Sequence, residues 1–156
     1  MSILEIKKAG DPVLKQVAEP IDRLTKRHRQ LLDDMAETMY SADGVGLAAP
    51  QVGKSLRIVV IDVQDEHGLL ELVNPVITMR EGTVVDSEGC LSVPQVYGDV
   101  ERAERVTVEY MDRRSRRRSL TAEGLLARCI QHECDHLDGR LFIDIAINLR
   151  KEEEKG

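Results

Sequence analysis

The apolar residues between positions 24 and 40 recur at the spacing of one helix face. They are Leu24, Leu31, Leu32, Met35 and Met39. Residues three, four and seven positions apart lie on the same side of an α-helix, so this pattern predicts an amphipathic helix with one buried face. Gly44 is expected to end the helix, because glycine is common just past a helix C-terminus. His28 lies on the same face, where we expect a structural role.

Three later segments are rich in β-branched residues and alternate in part between apolar and polar positions, as strands do. These predicted strands span residues 56–63, 70–79 and 105–111, and Asn74-Pro75 interrupts the second of them. A second helix is predicted from about Ala122 to His136. Because the order is helix, strands and helix, without alternation of strand and helix, we expect an α+β fold in which antiparallel β-sheets pack around the second helix.

Length and composition indicate one domain over residues 1–156, since no repeat or linker divides the chain. The charged end, residues 149–156, is expected to fray. No stretch of 18 apolar residues is present, so no membrane span is expected. The N-terminus lacks the pattern of a secretion signal. The cytoplasm is therefore the expected compartment, and the three cysteines are interpreted as thiols rather than disulfides.

The charge distribution argues against a nucleic-acid partner. The formal net charge is −6, and non-specific binding to DNA or RNA requires cationic side chains that replace counterions on phosphates. The arginine-rich segment 113–118 is the local exception. We expect it to form a solvated hairpin tip between two strands.

His132, Glu133 and His136 form an HExxH motif in the second predicted helix. Histidines four residues apart project from the same helix face and can bind one metal ion. Glu133 lies beside them, where its carboxylate can take a proton from water and later donate it to a leaving group. The alternative, a solvated helix with two ordinary histidines, is weak because two of only four histidines occupy these positions.

A catalytic metal site needs a third protein ligand and one open position. The metzincin pattern HExxHxxGxxH holds as far as Gly139, but its last ligand position is Phe142, which cannot bind a metal. Glutamates at positions 152–154 lie in the charged tail, which has no apolar face to pack against the site. Neither third ligand of the familiar zinc peptidases, a histidine after the motif or a glutamate from a later helix, therefore fits this sequence well.

The cysteines provide a better third ligand. Cys134 is expected to point to another helix face, and Cys129 belongs to the same short helix, where it would line a pocket floor. Cys90 lies on a separate segment, after Gly89, which is expected to permit a tight turn. A thiolate is a good ligand beside imidazole, so we predict a Cys-His-His site. Ligand type alone favours zinc, and an HExxH zinc endopeptidase is the alternative function.

Three segments together resemble one family. They are GVGLAAPQ (44–51), EGCLS (88–92) and QHECDHLDG (131–139), and GDPVLKQVAEPI (10–21) extends the similarity. These segments are similar to the motifs of the peptide deformylases, in the same order and at similar spacing. The resemblance implies a metal-dependent hydrolase that removes the N-formyl group from the N-terminal formyl-methionine of newly synthesised polypeptides, most simply in a bacterial cytoplasm.

Matching motif positions implies further roles. The resemblance makes Cys90, His132 and His136 the ligands of one divalent metal ion and Glu133 the general acid and base. It implies Fe(II) as the usual metal, with zinc, nickel or cobalt able to take its place. It also places an oxyanion hole at two groups, the Gln51 side chain and the Leu91 backbone N–H.

The pocket for the methionine side chain can be placed by helix geometry. Leu125 and Cys129 precede His132 by seven and three residues, so they lie on the metal-facing side of the helix. With Val45 and Gly46 they are expected to enclose an unbranched thioether. For Leu125, an ordinary core position is the alternative.

Two further expectations concern support of the site and partners. Glu88 is expected to orient the cysteine turn, with Arg102 as an ion-pair partner. Some family members dock on the ribosome through a basic C-terminal helix, but this sequence ends in a mostly acidic segment, so ribosome association has weak support. A catalytically silent homologue is disfavoured, because every residue expected in the metal and acid–base machinery is present.

Overall fold

The computed structural model describes residues 2–152, which contain two α-helices and two antiparallel β-sheets. The helices are α1 (Lys26–Ser41) and α2 (Gly124–Leu137). The strands are β1 (Gly46–Ala48), β2 (Ile58–Ile61), β3 (Leu70–Glu81), β4 (Val84–Cys90), β5 (Val93–Arg102), β6 (Arg105–Met111), β7 (Arg117–Glu123) and β8 (Ile147–Lys151). The larger sheet has the order β1-β2-β3-β6-β7 and the smaller one β4-β5-β8. The predicted α+β class is confirmed.

Helix α2 is the central element of the fold. Of its 14 residues, 11 are buried. Its apolar side, including Leu126, Ala127 and Ile130, packs against the larger sheet. The HExxH motif therefore lies inside the molecule, where contacts with neighbouring side chains replace water. None of the helices in residues 2–152 is long and apolar enough to cross a membrane.

Helix α1 packs on the same sheet through Leu32, Met35 and Met39, as its spacing predicts. His28 has the expected structural role, because its Nδ1 accepts a hydrogen bond from the Thr25 N–H (3.0 Å) and so caps the first turn. The helix ends without the predicted glycine: Asp43, with φ 57°, takes the left-handed conformation.

Strand β3 contains an irregularity at the predicted interruption. Asn74 has φ 52°, and the pairing with β6 shifts register between Val73 and Val76. The Asn74 side chain donates to the Ile21 carbonyl and accepts from the Ile21 N–H, both at 2.8 Å. The bulge thus attaches the N-terminal segment to the larger sheet.

The predicted fraying of the charged end is wrong for residues 149–151. They belong to β8, which pairs with β5, and the Glu152 N–H donates to the Gln95 carbonyl (2.7 Å). Edge strands tolerate exposed charged side chains, because backbone pairing rather than side-chain burial holds them. The rest of the predicted tail, 153–156, lies outside the described residues.

The arginine-rich segment forms the predicted hairpin tip between β6 and β7. Asp112 organises the turn, since its Oδ1 accepts hydrogen bonds from the backbone N–H groups of Arg114 and Arg116. Arg113 departs from the prediction of a solvated tip, because it pairs with Glu71 (2.7 Å) and with a carboxylate of α1.

Candidate active site

The three predicted metal ligands meet at the junction of the two sheets. Cys90 ends β4, while His132 and His136 project from α2. One ligand atom from each residue lies within 4.8 Å of the other two, and Cys90 Sγ is 3.3 Å from His136 Nε2. A sulfur and two imidazole nitrogens at this separation fit three corners of a tetrahedral metal site. These residues therefore suit a divalent ion such as iron or zinc.

Phe142 occupies the position at which a metzincin would have its third histidine ligand. Its side chain is buried, and its ring stacks on the imidazole of His132 with a centroid separation of 6.1 Å. The phenyl ring thus packs against a proposed ligand and holds its plane. The sulfur of Cys90 approaches from the other sheet instead.

Glu88 fixes the orientation of His132. Its Oε1 lies 2.9 Å from His132 Nδ1, and Arg102 donates to both carboxylate oxygens at 2.9 and 3.0 Å. The predicted contact between Glu88 and Arg102 is therefore present. Burial opposes ionisation of Glu88, but hydrogen bonds from His132 and Arg102 outweigh it and lower the pKa to about 2. An ionised Glu88 holds the proton on Nδ1 and leaves Nε2 for a metal.

The two histidines differ in their affinity for protons. Burial lowers the pKa of His136 well below its ordinary value, which favours the neutral imidazole that metals bind. Burial acts in the same direction on His132, but hydrogen bonds with Cys90 and Glu88 raise its pKa to about 10. Metal binding at His132 therefore competes with a proton.

Glu133 is buried beside these ligands. Its Oε1 has no hydrogen-bond partner within residues 2–152, and burial raises its pKa to about 7. A carboxyl group with a pKa near neutrality can both accept and return a proton. It packs directly on β1: a Cβ added to Gly46 would lie 2.6 Å from Glu133 Oε2. The glycine is therefore required for space.

Gln51 lies in a short 3-10 helix (Ala49–Val52) after β1 and is buried. Its Oε1 accepts a hydrogen bond from the Ala48 N–H (2.9 Å). This bond directs the amide nitrogen toward Cys90 Sγ (3.5 Å) and Ser92 Oγ (3.2 Å). A neutral N–H donor thus faces the cluster of proposed ligands. Leu91 lies in the turn between β4 and β5 and lines the same pocket.

A pocket of about 440 Å³ opens beside the cluster. The four residues predicted to bind substrate all line it: Val45, Gly46, Leu125 and Cys129. Leu125 is 56% exposed, so it is not an ordinary core residue. Burial raises the pKa of Cys129 to about 12, which keeps the thiol neutral.

Arg128 also lines this pocket, and the sequence analysis missed it. It precedes His132 by four residues, so helical spacing places it on the metal-facing side as it does Leu125 and Cys129. The spacing could therefore have identified it, but an arginine in a helix is usually exposed.

Comparison with known proteins agrees with this geometry. A family model described as polypeptide deformylase matches residues 3–152. The chain is 51% identical over 152 residues to a peptide deformylase of Halothermothrix orenii, and the match covers 97% of this chain and 99% of that one. The chain belongs to the peptide deformylase family.

Solved structures of peptide deformylases share the fold. The crystal structure of the Synechococcus elongatus protein in complex with actinonin has a TM-score of 0.89 and 51% identity, and the match covers 93% of this chain and 79% of that one. The Thermotoga maritima structure has a TM-score of 0.90 and 42% identity, and the match covers 93% of this chain and 98% of that one.

Membership of the peptide deformylase family identifies the chain as an enzyme. It is a metal-dependent hydrolase that removes the formyl group from the N-terminus of newly synthesised polypeptides. The endopeptidase alternative is not favoured, since both the relatives and the structural neighbours are deformylases.

Proposed function

We propose that the chain hydrolyses the formyl amide of N-formyl-methionyl peptides at the site described above. Cys90, His132 and His136 are the proposed ligands of one divalent metal ion, and Glu133 is the proposed general acid and base. The observation that best supports these roles is the convergence of one sulfur, two imidazoles and a buried carboxyl group beside one pocket.

The metal would supply Lewis acidity, which lowers the pKa of a water molecule and polarises the formyl carbonyl. We assign Fe(II) to this position on the strength of the family resemblance. Zinc, nickel and cobalt suit the same ligands, since one thiolate and two imidazoles bind each of these ions. Metal analysis of protein purified without oxygen tests the assignment: zinc with full activity would contradict it.

Glu133 is the proposed carrier of the proton. Its carboxylate takes a proton from water as the water oxygen bonds to the formyl carbon. The bond between the formyl carbon and the peptide nitrogen then breaks, and Glu133 returns the proton to that nitrogen. The products are formate and a peptide with a free α-amine. A pKa raised to about 7 suits both transfers.

Gln51 and Leu91 are the proposed donors to the formyl oxygen as negative charge develops on it. The hydrogen bond from Ala48 fixes the Gln51 amide with its nitrogen toward the cluster, so little reorganisation is needed during reaction. The Leu91 N–H belongs to the turn that follows Cys90, which places this second donor next to a proposed ligand.

The proposed pocket for the methionine side chain lies along α2. Leu125 and the neutral thiol of Cys129 form one wall, and Val45 and Gly46 form another. Apolar, uncharged walls suit an unbranched thioether. Nascent formylated chains as substrate support a cytoplasmic location. Ribosome association has weaker support, because Asp112 pairs with Arg116 and Arg118 and partly neutralises the hairpin tip.

Replacement of Cys90 tests the ligand set. We expect Cys90→Ala to lose both bound metal and formate release from formyl-Met-Ala. Cys134→Ala is the matched control, because Cys134 is a buried thiol on another face of α2 and packs in the core. Retention of metal by Cys90→Ala would refute the ligand set, and cleavage of internal amide bonds in unformylated peptides would refute the proposed reaction.

A further inference from the structure

Strand β4 brings Glu88 and Cys90 to the site, yet it is held on one side only. It is an edge strand that pairs with β5, whereas the histidines belong to α2. Val84 and Val85 of β4 are exposed, so little apolar packing fixes this strand. The distance between Cys90 and the two histidines therefore depends on the contacts that join β4 to α2.

Besides the proposed metal ligands, Arg128 is the residue of α2 that makes these contacts in the described part of the chain. Its Nη1 donates to Glu88 Oε2 (2.5 Å) and to the Val100 carbonyl (2.9 Å), and its Nη2 donates to the Val84 carbonyl (2.8 Å). One guanidinium thus joins α2 to both ends of β4 and to its neighbour β5. Its side chain is 10% exposed, so these hydrogen bonds form largely away from bulk water.

The charges around Arg128 form an alternating row. Arg102 binds Asp135 on α2 as well as Glu88, and Glu88 in turn binds Arg128. Two guanidiniums and two carboxylates alternate in this row, and His132 is a further partner of Glu88. Loss of Arg128 would remove one of the three side chains that bind Glu88 and would leave the Val84 and Val100 carbonyls without this donor. Loss of hydrogen bonds to buried groups is destabilising.

We propose that Arg128 is a positioning residue that holds β4 against α2 and so sets the separation of Cys90 from His132 and His136. It acts through Glu88 and the β4 backbone. This role rests on the ligand set proposed above, and it adds a contact that fixes the site whether or not a metal is bound.

The test measures the rate at which cobalt leaves the cobalt-loaded enzyme in excess chelator. The thiolate-to-cobalt absorption band reports how much cobalt remains bound. Changes to groups that support metal ligands typically alter metal affinity about 10–100-fold. We expect Arg128→Met, which keeps the aliphatic stem, to lose cobalt at least about tenfold faster than the wild type. Arg128→Lys should lose cobalt at a rate between those of the wild type and Arg128→Met, because an ammonium keeps the charge but cannot reach three acceptors in the same plane.

Arg57→Met is the matched control. Arg57 donates to the Leu137 carbonyl (3.0 Å) and to Asp138 (3.0 Å) at the C-terminal end of α2, so it makes the same kinds of contact with α2 but does not bind Glu88 or β4. We expect this variant to unfold at a lower temperature than the wild type while it loses cobalt at the wild-type rate.

Two results would overturn the proposal. If Arg128→Met loses cobalt at the wild-type rate and only its unfolding temperature falls, Arg128 is merely structural. If it holds cobalt longer, the main effect of Arg128 is repulsion between its charge and the ion. If Arg128→Met does not fold, loss of cobalt from Arg128→Lys at the wild-type rate refutes the proposal equally. Cys90→Ala measured alongside separates these results from failure of the ligand set, because it should not retain cobalt.

Discussion

At the scale of single residues, Gln51 shows how one hydrogen bond sets the direction of a proposed oxyanion donor. Ala48 donates to its oxygen, which leaves the nitrogen toward Cys90. Removal of one oxyanion donor typically costs about 10²–10³ in kcat. We therefore expect Gln51→Ala to slow formate release by this factor while its metal content stays unchanged. Gln30→Ala, on the exposed side of α1, is the control; full activity of Gln51→Ala would exclude the oxyanion role.

Gly46 leads to a second prediction at this scale. An alanine methyl there would lie 2.6 Å from Glu133 Oε2 and 3.1 Å from Cγ and Cδ of the same side chain. The carboxyl group would have to move, and a displacement of about 1 Å can cost about 10²-fold in rate. We expect Gly46→Ala to lose activity to that extent and to keep its metal, as measured by formate release and metal analysis. An unchanged rate would mean that the position of Glu133 is not critical.

The meeting of Cys90, His132 and His136 could be predicted from the sequence because few residue types bind a metal. The chain has four histidines and three cysteines, and of the cysteines only Cys90 lies outside the HExxH helix. Gly89 is required for space and not for the turn, since its φ is not positive and a Cβ there would lie 2.8 Å from the Tyr97 ring. Arg128 could not be assigned, because its partners Glu88, Val84 and Val100 are distant in sequence.

At the scale of elements, the β6–β7 hairpin depends on the charge of Asp112. Burial opposes its ionisation, but hydrogen bonds from Arg116, Arg118 and the Arg114 N–H lower the pKa to about 2, from 3.8. Because the folded-state pKa is the lower one, this stabilisation is complete above pH 4 and is lost as the pH falls toward 2.

The replacement Asp112→Asn isolates this charge, because an amide oxygen still accepts from the turn. We expect it to lower the free energy of unfolding in urea by about 1 kcal/mol at pH 7 and to match the wild type near pH 2. Deformylase activity should not change, since the turn is not part of the pocket. If the variant and the wild type differed equally in unfolding free energy at both pH values, the charge of Asp112 would not have the proposed role.

Elements with internal periodicity could be predicted, and those defined by distant pairing could not. The predicted helices and the strands at 70–79 and 105–111 lie close to α1, α2, β3 and β6, because buried positions recur along them. Strand β4 has exposed residues from Val84 to Ser87, so its sequence lacks this pattern. Its pairing with β5 in a hairpin and its contacts with α2 define it, and the contacts with α2 join residues 40 or more positions apart.

At the scale of the whole molecule, the proposed site joins two sheets that otherwise have separate cores. Cys90 comes from the smaller sheet, whose core includes Val93, Val100 and Phe142. The histidines come from the helix packed on the larger sheet. A metal held by all three ligands would therefore link the two halves of the fold as well as serve the reaction.

Metal removal should consequently destabilise the entire enzyme. An ion that binds only the folded state stabilises it by about 4 kcal/mol at 1,000 times its Kd, which for a chain of this size corresponds to a Tm increase of roughly 10 °C. In scanning calorimetry, we expect the Tm of the nickel-loaded wild type to exceed that of the chelator-treated protein by about this amount. Cys90→Ala should show a much smaller shift, because its site has lost the ligand from the smaller sheet. Equal Tm values for the loaded and depleted wild type would show that the ion does not join the two halves.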